Sequence, residues 1–187
     1  MSLSNEKGFP TWLAMGKCFR GWALMNLGQQ KEGILELHRG LEDWRAIGTE
    51  LFVPYLLSLP AQGYGRLKRV DEASNGLKEG WAVAERTGEQ WWRAERYRLE
   101  GELLLHQSVL DEVQAENYFQ QALEMARNQQ AKSLEIRAAT SIARLWQSQD
   151  KGEAAYELLA PVYNWFTEGL NNADLREAEI LLKELQK

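Results

Sequence analysis

The side chains able to do chemistry are few and scattered. His38 and His106 each have one carboxylate a helical turn away, Glu42 and Glu102. A structural zinc ion takes about four ligands, so neither pair makes a site, and both imidazoles read as surface or groove residues. The single cysteine, Cys18, can form neither an internal disulfide nor a cysteine-based zinc site. With no base nearby it reads as a small buried hydrophobe on a helix face beside Trp22. Glu100 with Glu102, and Asp71 with Glu72, have the types of an acid and base pair but the placing of charges on solvated helix faces. Gly63-Tyr64-Gly65 lacks the third glycine and the Lys-Ser/Thr pair of a phosphate loop. The expectation is a chain with no catalytic residue, no metal and no cofactor, and so not an enzyme.

The remaining candidates are recognition chemistry, arginine and tryptophan, and these need elements to present them. Strand signals are nearly missing, because no alternating run rich in Val, Ile and Thr occurs. Apolar residues instead recur at three-and-four spacing, most clearly through Ala115, Tyr118, Phe119, Ala122, Met125 and Ala126. This predicts helices over 10–27, 30–47, 52–67, 70–87, 90–107, 111–129, 131–148, 151–168 and 173–186. Short polar breaks such as Gly28-Gln29-Gln30-Lys31 turn neighbours antiparallel. Pro60 and Pro161 fall inside these bounds, where each removes a backbone hydrogen bond, so a kink or a helix boundary is predicted at both.

Alternate helices repeat one another. A small residue stands at Gly33, Ala73, Ala115 and Ala155; four positions on come Leu37, Leu77, Phe119 and Leu159; seven on come Gly40, Gly80, Ala122 and the larger Val162. The helices before them pair Gly21 with Leu24, Ala61 with Tyr64, Gly101 with Leu104 and Ala143 with Trp146. Small residues admit a neighbouring helix and the large one fills the gap, which is the order of a tetratricopeptide (TPR) hairpin. The reading is all-α: a TPR-like right-handed superhelical solenoid of about four hairpins with a C-terminal capping helix. The spacing of 40, 42 and 40 residues exceeds the usual ~34, and HEAT-like repeats are the alternative. Residues 1–8 are expected to be a disordered or cloning-derived start, and 9–187 a single domain that is a fragment of a larger protein.

TPR arrays commonly take ligands in a concave groove lined by first helices. Projecting those positions gives Trp22, Tyr55, Gln62, Arg98, Glu102, His106, Arg137 and Arg144 as a partner-binding groove. The three arginines could clamp carboxylates of an acidic or C-terminal peptide. Equally, Arg98 could pair with Glu95 or Glu102 on its own helix while Arg137 and Arg144 meet water or a neighbouring hairpin. Trp44, Trp81, Trp146 and Trp165 fall at repeat-packing places. Trp91 and Trp92, adjacent on a helix and so about 100° apart, cannot share one core, which makes one of them an exposed anchor unless it packs on the preceding hairpin.

The segments AKSLEIRAATSIARLW (131–146) and LLAPVYNWFTEGL (158–170), with Asp174-Leu175 and Glu177-Ala178, carry a more specific likeness. The last third of the chain resembles the C-terminal TPR-like region of large bacterial signalling proteins that join a class III adenylate or guanylate cyclase domain to a P-loop ATPase domain. Looser matches, Gly33-Ile34 and Gly101-Glu102-Leu103-Leu104 among them, spread it over most of the chain. The resemblance implies a sensory or regulatory arm, with any activity in domains outside these residues.

With a formal charge of −5 and 22 basic residues interleaved among 27 acidic ones, nucleic acid is a disfavoured partner. No window approaches the roughly 20 apolar residues of a membrane span, and one cysteine suits a reducing compartment, so the expected setting is cytoplasmic without membrane association. The function expected is a non-catalytic interaction or scaffold module that binds a protein or peptide, upstream domains of its own polypeptide included. The alternative is a structural arm that self-associates, for instance as a homodimer.

Overall fold

The helical periodicity is realised throughout the computed structural model, which describes residues 8–107 and 110–187. Among these the chain forms nine helices and no strand. They are α1 (Pro10–Asn26), α2 (Gln30–Ala46), α3 (Val53–Arg66), α4 (Val70–Thr87), α5 (Arg93–Leu104), α6 (Glu112–Asn128), α7 (Lys132–Ser148), α8 (Gly152–Asn164) and α9 (Ala173–Leu185). The expectation for residues 1–8 falls, all but Gly8, outside the described residues. The chain divides into two compact units, Met1–Trp92 and Arg93–Lys187.

In the first unit α1 and α2 run antiparallel at very close range. A Cβ on Gly21 would lie 2.6 Å from the Gly33 carbonyl oxygen, and one on Gly33 would lie 2.5 Å from that of Gly21. Nothing larger than glycine fits where two backbones meet so closely. Helix α3 packs on α2 and pairs with α4, whose Ala73, Leu77 and Gly80 are buried. The core gathers Met25, Leu37, Leu41 and Trp44 with Leu56, Leu57 and Leu59.

In the second unit α5 pairs with α6, α6 with α7 and α7 with α8, and α9 lies against both α7 and α8. Cross-contacts fix the directions. Trp146 and Gln149 donate to Glu116 and Glu112, so α7 runs against α6. Arg137 and Ser141 meet Glu95 and Arg98 in rising order, so α7 runs with α5. All twelve positions of the small-large-small pattern are buried, from Gly33 to Val162.

Four three-residue links share one geometry. Their middle residues, Gly28, Lys68, Gln130 and Asp150, take φ of 86°, 57°, 54° and 59°. In each, the next amide donates over 2.9 Å to the carbonyl five residues back, as from Gln29 to Leu24 and from Lys151 to Trp146. This left-handed closure caps the orphan carbonyls of the helix end and reverses the chain.

Two helix bounds need correction, and one of the two outcomes expected at the prolines is excluded. Neither Pro60 nor Pro161 is a helix boundary, because α3 and α8 run through both. Pro60 is itself buried, and Pro161 stands in the last turn of α8, so each leaves one carbonyl four residues back without its helical donor. Helix α5 begins at Arg93 rather than 90, which leaves Trp91 and Trp92 in a turn. Helix α8 stops at Asn164 rather than 168, so Trp165 sits in the following link and is 57% exposed, with Lys132 Nζ 5.5 Å from its ring centre.

Candidate functional site

The groove candidates fall in two groups, one in each unit. Trp22 is exposed on α1, Gln62 is half-buried on α3, and Tyr55, also on α3, joins an aromatic cluster. The freedom of the α4–α5 turn lets both tryptophans reach Tyr55: ring centres lie 5.4 Å away for Trp91 and 4.9 Å for Trp92, with 5.2 Å between the two indoles. The pair sits in a turn rather than on a helix, so both rings meet in this cluster while Trp91 stays 42% exposed. Trp92 Nε1 donates to Ser58 Oγ over 2.9 Å, and Ser58 Oγ donates in turn to the Tyr55 carbonyl. Trp91 Nε1 donates to Glu89, whose other oxygen accepts from the Phe52 amide over 3.1 Å. Phe52 completes the cluster edge-on to Trp91 at 5.6 Å. Of the pair, Trp91 keeps the exposed surface.

In the second unit Arg98, Glu102 and Arg137 converge on an acid that the groove projection left out. Glu95 is fully buried, and it accepts from Arg98 Nε at 2.9 Å and Nη2 at 2.6 Å and from Arg137 Nη2 at 2.7 Å. Arg98 also bonds Glu102, while Ser141 Oγ sits 3.4 Å from both the Arg98 Nη1 and the Glu102 carboxylate. Burial opposes ionisation of Glu95, yet Arg98 and then Arg137 hold its carboxyl below the usual range. Burial likewise opposes the charge on Arg98, but Glu102 and Glu95 raise it further. The four groups carry two positive and two negative charges, and Arg137 also lies 4.0 Å from Asp174 of α9. Arg144 stands apart and pairs with Glu177 of α9 at 2.9 Å. His106 follows α5, exposed, with Nδ1 2.7 Å from the Glu102 carbonyl oxygen.

This arrangement changes what the arginines can do. Arg98 is buried, and each of the three already faces an acid of the chain. A carboxylate ligand reaching Arg144 has to displace Glu177 first. The Arg98–Glu95 pair was legible from three-residue spacing on one helix. Arg137 with Glu95 and Arg144 with Glu177 were not, since those partners lie on other helices.

The other reactive groups are held inside. His38 shares a 2.8 Å hydrogen bond with the Tyr64 hydroxyl, and burial pushes its imidazole below the usual range, Glu42 opposing and Arg45 assisting. Cys18 is fully buried, and burial with Asp43 pushes its thiol up to about 12. Among the described residues no three His, Cys, Asp or Glu side chains gather as metal donors. No described helix is long and apolar enough to cross a membrane.

No family model matches this chain, and no curated protein matches it.

Proposed function

We propose that the chain is a non-catalytic helical-repeat module of the TPR kind that binds a protein partner, the regulatory arm of a cyclase and ATPase signalling protein of the sort its last third resembles. Burial of all twelve small-large-small positions, with backbones in contact at Gly21 and Gly33, supports the repeat reading. The observation that carries partner binding is α1. Trp12 and Trp22 are 69% and 44% exposed on it, with Phe19 between them. Exposed aromatics in one stripe are the usual anchors of an interface.

Affinity capture on the immobilised chain separates the two kinds of recognition. A protein retained by wild type and by Arg144→Ala but lost with Trp22→Ala supports the aromatic face. Loss with Arg144→Ala and retention with Trp22→Ala would return recognition to the arginine clamp. Arg144 is the clamp residue to change, because it is exposed and lies outside the buried network.

A further inference from the structure

Among the described residues four non-glycine residues have positive φ, and three of them, Lys68, Gln130 and Asp150, close a helix end. Phe52 is the fourth, with φ 63° and ψ 0°, and it stands at a helix start, immediately before Val53 of α3. A residue in that place is ordinarily extended and offers a side-chain oxygen to the first turn. Phe52 does neither, and a bulky side chain in the left-handed region is strained against its own backbone. Such strain persists only where the surroundings hold it.

Here the peptide unit that joins Leu51 to Phe52 is gripped at both edges. Its carbonyl oxygen accepts over 2.7 Å from Nε1 of Trp44, a buried residue of α2. Its N–H donates to Glu89 over 3.1 Å. The carboxylate bond is the stronger of the two, being charged. Glu89 is set in turn by the end of α4, where Gly88 takes φ 74° and the Glu89 amide donates to the Ala84 carbonyl. Its other oxygen accepts from Trp91 Nε1. A peptide unit is planar, so with α3 fixed any change of φ at Phe52 turns the whole plane and breaks both grips together. The next fastening back along the link is the exposed pair of Glu50 with Arg86 of α4.

We propose that the Leu51–Phe52 peptide is a two-position switch, held in its strained position by Glu89. When that carboxylate is withdrawn the peptide turns over, Phe52 relaxes to negative φ, and the bond from Trp44 is lost with it. The link joins the end of α2 to the start of α3, so its turning loosens that joint while the helices stay formed. The switch is independent of partner binding at α1.

Hydrogen exchange of the Trp44 indole N–H, followed by NMR on the whole chain, tests it, because that group bonds to Leu51 and not to Glu89. The amide of Leu57, buried inside α3, measures general opening, and circular dichroism verifies that each variant stays helical. Glu89→Ala speeds indole exchange relative to Leu57 by roughly tenfold, the scale of one left-handed non-glycine residue. Phe52→Gly, which takes positive φ without strain, leaves indole exchange as in wild type, and adding Glu89→Ala to it brings no increase. An indole unmoved relative to Leu57 by Glu89→Ala overturns the switch, since the carboxylate then holds only its own donors. Fast indole exchange in Phe52→Gly alone also overturns it, because the ring rather than the backbone would be holding the link. An equal rise from Glu89→Ala with Phe or Gly at this position leaves strain no part in the opening and overturns it too.

Discussion

Glu95 is the residue on which the second unit is most exposed to a single change. Two guanidiniums stay charged at any accessible pH, so removing the buried acid between them leaves Arg98 with Glu102 alone and Arg137 with the more distant Asp174. Glu95→Ala should lower stability by about 3–5 kcal/mol in urea unfolding, and a double-mutant cycle with Arg137 should show coupling rather than additivity. His38 gives the first unit a pH dependence. Its folded-state value lies below the unfolded one, so the unfolded chain takes up the proton first. Stability should be level above the ordinary imidazole value and fall as pH drops through it toward the lower folded-state value. In His38→Gln that part of the fall, followed by melting temperature from pH 8 to 5, should disappear.

Among the elements, the helix pairs differ in how closely they approach, and glycine substitution reads the difference. A methyl group on Gly33 meets backbone at 2.5 Å, so Gly33→Ala should cost roughly 1–3 kcal/mol. Around Gly80 the nearest atoms lie at 3.5 Å or more, an ordinary contact. Gly80→Ala should therefore raise stability by up to about 1 kcal/mol through helix propensity, as thermal melts of the two variants would show. This contrast marks the limit of what could be read before the structure. That Gly33 and Gly80 both stand at small positions of the repeat was legible, because close approach dictates size. That only one of them is filled to contact was not, because the distance depends on side chains across the interface. The same division explains Trp91 and Trp92. Their order in the chain was plain, but an onset of α5 three residues later than the periodicity indicated changed what they touch. It explains Glu95 as well, which stood on a visible helix face while one of its two partners lay 42 residues on.

At the scale of the whole molecule, each unit's core draws on its own residues. The second gathers Ala115, Phe119, Ile142, Leu159 and Leu175, and the first gathers Met25, Leu37, Trp44 and Leu56. Residues 93–187 expressed alone should retain helical circular dichroism and melt in one cooperative step; a gradual, featureless melt would show that the core is incomplete without the first unit. Cys18 bears on the same question from the other side. Its sulfur is sealed between α1 and α2, close enough to Gly40 that a Cβ there would lie 2.6 Å away, and no other thiol competes with it. Any reagent that modifies it must wait for that helix pair to part. The rate of thiol labelling in native buffer thus counts how often the first hairpin opens, a clock for local unfolding that needs no engineered probe.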